Sequence, residues 1–173
     1  MPIPANIFLV GPMGAGKSTA GRRLAKTTGK IFKDSDQVIQ ERTGVDIPLI
    51  FDIEGEEGFR NRERAVIEEL TQLSGIVLAT GGGAIMTRDN RTWLGGRGFT
   101  IYLHTTPEQS LERTGSDRNR PLLDTDDPGQ RLRDLYAVRD PLYREIADLV
   151  IDTDGNSVQR MVKAIMDRLE SPI

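Results

Sequence analysis

The chain has 173 residues, with 23 Lys and Arg against 26 Asp and Glu, a net charge of −3. That length suits one domain with a sizeable core, and a mixed, slightly acidic charge argues against general nucleic-acid binding, which needs a basic surface. The absence of cysteine excludes disulfides and thiolate metal sites, and a single histidine, His104, excludes a multi-histidine centre. No run approaches the roughly 18 apolar residues that span a bilayer, and the first residues lack the basic-then-apolar pattern of an export leader. The expectation is a soluble, cytoplasmic, monomeric protein with no nucleic-acid or membrane partner.

Residues 5–10 read as a first strand and 17–28 as a first helix. Between them stands Gly11-Pro12-Met13-Gly14-Ala15-Gly16-Lys17-Ser18. Glycines at 11, 14 and 16 permit turn conformations in which successive amide N–H groups point inward and cradle an oxyanion. Lys17 adds a mobile positive charge. Ser18 places a hydroxyl where Mg²⁺ would sit between terminal phosphates, and the following helix presents its positive end to the same anion. A complete match with a buried-type strand before it and a helix after it is the context a triphosphate-binding loop requires.

Ile31-Phe32-Lys33 reads as a second strand ending at Asp34-Ser35-Asp36. Ligands of open α/β sheets bind beyond the carboxyl ends of strands, so one aspartate is expected to face a metal and the other a second substrate. The alternative is helix capping by Ser35 and Asp36 ahead of a helix over 37–43. Residues 44–53 suggest a short packed helix, and 54–73 the clearest helix of the chain, with Phe59, Val66, Leu70 and Leu73 as its apolar stripe. Glu63 falls inside that stripe and Arg60 at its edge. Charges on a buried face are costly unless paired, so the two form either a structural ion pair or a device that aims Arg60 at an anionic group. A third strand, 76–80, is continuously apolar, as central parallel strands are, and runs into Gly81-Gly82-Gly83, where close approach of a ligand to the backbone is favoured over a plain turn.

Residues 87–94 read as helix, 99–103 as the fourth strand, and Thr106-Pro107 opens another helix. His104 has no evident partner and reads as structural or exposed. The stretch 114–128 is polar, punctuated by glycine and proline and long for a connection, which suggests a lid; its Arg118 and Arg120 either close over a transferring phosphoryl group or are solvated surface charges. Over 128–147, Leu132, Leu135, Tyr136, Leu142, Tyr143 and Ile146 form an apolar stripe with Arg139 in its middle, and Pro141 is expected to break or kink the helix. A second arginine on a buried face strengthens the case for an anion pocket. The last strand covers 149–151 and the closing helix 157–169.

The combination of Gly11 to Ser18, Asp34-Ser35-Asp36, Phe59-Arg60, Gly81-Gly82-Gly83, Arg120-Pro121-Leu122-Leu123 and Arg139-Asp140-Pro141-Leu142-Tyr143 closely resembles shikimate kinases, of the P-loop small-molecule kinase superfamily, over essentially the whole chain. The resemblance implies an α/β, three-layer fold: a single domain with a five-stranded parallel sheet in the order 2-3-1-4-5 flanked by helices, a substrate-binding segment near 34–62 and a lid near 114–128. It further implies transfer of the γ-phosphoryl group of ATP to the 3-hydroxyl of shikimate, with Mg²⁺ as cofactor, within aromatic amino-acid biosynthesis. On this resemblance Gly14, Ala15, Gly16, Lys17, Ser18 and Thr19 hold the phosphates, Ser18 ligates Mg²⁺, and Asp34 reaches the metal through water. Asp36 takes the acceptor's hydroxyls and is the candidate base. Arg60, Arg139 and the backbone of Gly81, Gly82 and Gly83 grip shikimate, Arg120 reaches the phosphates from the lid, and Arg113 with backbone near Asn156 forms the adenine pocket. Gluconate or nucleoside monophosphate kinases, which would share the loop, and a nucleotide-switched binding module, which does not need the Asp36, Arg60 and Arg139 set, are the rival readings.

Overall fold

The computed structural model describes residues 2–114, 121–123, 125–155 and 157–171. Its strands are β1 (Ile7–Val10), β2 (Ile31–Asp34), β3 (Ile76–Ala79), β4 (Phe99–His104) and β5 (Leu149–Asp152). They form one sheet in the order β2-β3-β1-β4-β5, with every neighbouring pair parallel. The helices are α1 (Lys17–Thr28), α2 (Ser35–Thr43), α3 (Ile47–Leu70), α4 (Arg88–Arg97), α5 (Pro107–Thr114), α6 (Pro128–Ile146) and α7 (Val158–Glu170), joined by 3₁₀ turns at Ala84–Met86 and Pro121–Leu123.

Alternation along the strands divides the core in two. Ile7, Leu9, Val77, Ile101 and Leu103 face one side and pack on Leu24 of α1 and Met161, Val162 and Ile165 of α7. Phe8, Val10, Leu78 and Tyr102 face the other, against Ile39, Phe59, Ile67, Leu94 and Tyr143 from α2, α3, α4 and α6. Both faces of the sheet are therefore covered, which is why the central strands read as unbroken apolar runs. The chain leaves β1, β2 and β3 at the same end of the sheet, and that places the loop before α1, the Asp34 corner and the triple glycine side by side.

Four expectations need correction. The two helices expected over 44–53 and 54–73 are present as one run, Ile47–Leu70, that kinks where Gly55 takes a non-helical conformation (φ 73°, ψ 179°), but Leu73, expected on the second one's apolar stripe, lies past its end and is 41% exposed. Pro141 does not end α6, which continues to Ile146. Pro141 and Ala137, whose carbonyl loses its donor, are both exposed, so the interruption faces solvent rather than the core. His104 has a partner, since its Nε2 lies 2.8 Å from the Tyr136 hydroxyl. The residue that caps α2 is Asp34, ahead of Ser35 and Asp36: its Oδ1 accepts from the amides of Asp36 (3.0 Å) and Gln37 (3.2 Å).

Candidate active site

The loop between β1 and α1 is held open by three positive backbone angles, φ 150° at Gly11, 78° at Gly14 and 86° at Gly16, conformations that side-chain-bearing residues rarely adopt. Lys17 lies back along this loop, Nζ donating to the carbonyls of Gly11 (2.6 Å) and Pro12 (2.9 Å). Ser18 Oγ donates to Asp34 Oδ2 at 2.6 Å, so a hydroxyl and a carboxylate from different elements share one spot. Gly14, Gly16, Lys17, Ser18, Thr19, Asp34, Asp36, Thr80, Gly81 and Gly82 line one cavity of about 260 Å³ together with Met13. Ala15 lies in the same loop but is buried and faces the core.

Asp34 and Asp36 diverge because the chain changes conformation between them. Asp34 is extended, while Asp36 already belongs to the first turn of α2. Asp36 thereby lines the phosphate cavity and also a second pocket, with Arg60, Glu63, Gly81, Gly82, Gly83, Arg139, Phe51 and Phe59. Both guanidiniums converge on the triple glycine. A Cβ on Gly83 would overlap the Arg60 guanidinium, and one on Gly82 would lie 3.6 Å from Arg139 Nη1. At Gly81 it would stand 2.8 Å from Asp36 Oδ1 and 3.1 Å from Glu63 Oε2. At Gly81 and Gly83 a side chain would collide with charged groups already in place, the Asp36 carboxylate and the Arg60 guanidinium, whereas at Gly82 the approach is ordinary contact.

Arg60 is fixed by Glu63 at 2.9 Å and more loosely by Glu56 at 3.5 Å. Glu63 is fully buried, and burial, assisted by the negative charge of Asp36, pushes its carboxyl up to about 7 against the lowering pull of Arg60 and Arg139. Arg139 is 4% exposed, its basicity lowered by the same desolvation, and its Nε is buried with no hydrogen bond among the described residues. A buried cation with an unused donor is costly unless an anion completes it. Tyr143, one turn beyond Arg139, donates from its hydroxyl to the Gly82 carbonyl and ties α6 to the glycine run.

On the opposite flank, the Arg113 guanidinium donates to the carbonyl of Gly14 (2.9 Å) and to Thr153 Oγ1 and carbonyl, both 3.3 Å. It bridges the phosphate loop to the segment after β5. Arg118, Arg120 and Asn156 lie outside the described residues. Sequence reasoning missed Met13 and Thr80 as cavity walls and Thr153 as the Arg113 partner; nothing in their residue types marks them. The role of Tyr143 had a signal in its spacing of four from Arg139, which puts both on one helix face.

A family model described as shikimate kinase matches residues 13–170. The chain belongs to the shikimate kinase family. Among its curated relatives, shikimate kinase from Halorhodospira halophila is 58% identical over 167 residues, covering 96% of this chain and 94% of that one. Shikimate kinase from Pseudomonas fluorescens is 59% identical over 164 residues, covering 95% of each. The structure of shikimate kinase from Acinetobacter baumannii in complex with shikimate superposes with a TM-score of 0.94 at 51% identity, over 96% of this chain and 93% of that one. Like other shikimate kinases, the chain is a kinase.

The donor set at Ser18 and Asp34 suits a hard divalent cation. One hydroxyl and one carboxylate, both oxygen, are what Mg²⁺ takes from protein when phosphates and water supply the rest. No group of three or more His, Cys, Asp or Glu side chains positioned to hold a metal occurs among the described residues.

Proposed function

We propose that this chain transfers the γ-phosphoryl group of ATP to the 3-hydroxyl of shikimate, forming shikimate 3-phosphate and ADP. The observation that carries the reading is the wall common to two cavities: Met13, Asp36, Gly81 and Gly82 border both the phosphate site and the pocket holding Arg60 and Arg139. A compound with a carboxylate at one end and hydroxyls at the other fits that pocket in one direction, acid on the arginines and hydroxyl toward Asp36 and the phosphates.

Phosphoryl transfer asks mainly for alignment and charge neutralisation. In this reading the amides of Gly14 to Ser18 and Thr19 bind the phosphates, and Lys17 turns from its loop carbonyls onto the β- and γ-phosphate oxygens. Ser18 would hold Mg²⁺ directly and Asp34 through water, and the ion would supply charge neutralisation at the phosphates. Arg60 and Arg139 clasp the carboxylate, Gly81–83 lets the ring lie against the backbone, and Asp36 accepts the hydrogen bond, and finally the proton, of the attacking hydroxyl. Arg120 approaches the phosphates from a lid at 114–128, Arg113 and the backbone near Asn156 border the adenine, and 34–62 forms the acceptor-binding segment. We read the chain as a cytoplasmic monomer; among its described residues no helix is long and apolar enough to cross a membrane.

ADP release by the purified protein with Mg²⁺, measured separately with shikimate, gluconate and nucleoside monophosphates, tests this. Turnover dependent on shikimate is expected; preference for an acceptor lacking a carboxylate defeats the assignment of Arg60 and Arg139, and acceptor-independent ATP consumption that needs a protein partner favours the switch.

A further inference from the structure

Among the described residues Glu63 is the only acidic side chain that is buried, and it lines the acceptor pocket. Its Oε1 accepts from Arg60 Nη1, while Oε2 is buried with no hydrogen bond among the described residues and borders Gly81 beside the Asp36 carboxylate. The groups that face it are Asp36 from α2, Arg60 from α3, and Arg139 and Tyr143 from α6, while Glu56 of α3 pairs with Arg60. Around the glycine run, Arg60 and Arg139 balance Asp36 and Glu63, with Glu56 at the exposed edge. An acceptor carboxylate entering this set adds a third negative charge to a largely buried cluster holding two positive ones, which favours the loss of one negative charge.

We propose that Glu63 takes up a proton as the acceptor's carboxylate docks between Arg60 and Arg139, so that the acceptor binds as an anion together with a proton. This rests on the acceptor reading above. The proton passes from water or buffer to Oε2, the oxygen with no bond to lose, while Oε1 keeps Arg60 in place. Arg60, no longer neutralised by Glu63, then gives its full charge to the acceptor. Burial has already brought the Glu63 carboxyl to about 7, so a modest further push protonates it at neutral pH.

Titration calorimetry of shikimate into the nucleotide-free protein near pH 7.4, in HEPES, imidazole and Tris, measures this directly, because the slope of heat against buffer ionisation enthalpy counts protons. About 0.3 to 0.6 proton taken up per shikimate is expected, and for a one-unit rise on binding an affinity that weakens about tenfold as pH climbs from 6 to 9. The acceptor's own carboxyl, with an ordinary pKa near 4, is ionised throughout that range. Glu63→Gln should bind with buffer-independent heat and a flat pH profile. Shikimate binding without proton uptake in the unaltered protein overturns the inference and leaves the acceptor reading standing. Uptake that persists in Glu63→Gln, which would point to His104 or another group, also overturns it. Absence of shikimate binding in protein that still binds ATP overturns both.

Discussion

Gly83→Ala isolates the placement of Arg60 from the stability of the fold. The backbone at Gly83 (φ −93°, ψ 0°) is open to alanine, so the substitution introduces no conformational strain there. Its Cβ, however, would overlap the Arg60 guanidinium, whose Cζ and Nη1 would lie only 2.6 and 2.7 Å away. The tip of a long side chain yields more readily than the backbone, so Arg60 should swing aside while the sheet and helices stay put. What is lost is a charge-assisted contact to the acceptor carboxylate, about 1.5–3 kcal/mol, or roughly 10- to 150-fold in acceptor affinity. A coupled ADP-release assay should show KM for shikimate rising within that range and KM for ATP within about twofold of the parent, with a melting temperature little changed. Gly96→Ala is the control, because a Cβ there meets nothing within 4 Å. A shikimate KM within twofold of the parent in Gly83→Ala would refute the claim that Arg60 acts from the position seen against the glycine run.

Arg139→Ala should raise KM for shikimate at least tenfold and leave ATP binding within about threefold, measured by calorimetry for each ligand; equal loss of both would make Arg139 a structural residue. Lys17→Met should reduce kcat by about 10²–10³ with smaller changes in either KM, and retained turnover would contradict its role on the phosphates. For Glu63 the folded-state pKa is raised above the unfolded value, so the native protein binds the extra proton. The stabilisation is complete below about pH 4.5 and is lost as pH rises through about 7. Urea unfolding at pH 5.5 and 8 should therefore show the unaltered protein losing about 2 kcal/mol relative to Glu63→Gln over that interval; parallel profiles would place the Glu63 carboxyl in the ordinary range.

The sheet order was implied by family resemblance, but the elements themselves were legible from physics. Strands buried on both faces left unbroken apolar runs, and the glycine spacing before Lys17 demanded positive φ. Glu63 and Arg60 stood out because charges on an apolar stripe need a reason, and Arg139 by the same logic. What stayed hidden depended on direction and contact. Pro141 reads as a helix breaker unless one knows that its turn faces water, and Asp34 caps α2 because the strand ends one residue later than its pattern suggests. The partners of His104 and Arg113 come from elements 32 and 40 residues away, Tyr136 on α6 and Thr153 after β5, and no local spacing announces them.

In the proposed complex a carboxylate on the acceptor is gripped by Arg60 and Arg139 while its hydroxyl faces the nucleotide. The most direct measurement is kcat/KM for shikimate against its analogue with the carboxylate reduced to a primary alcohol. Loss of the charged contacts to both arginines predicts a fall of about 10²–10³-fold for the alcohol. Equal values for the two compounds would contradict the account.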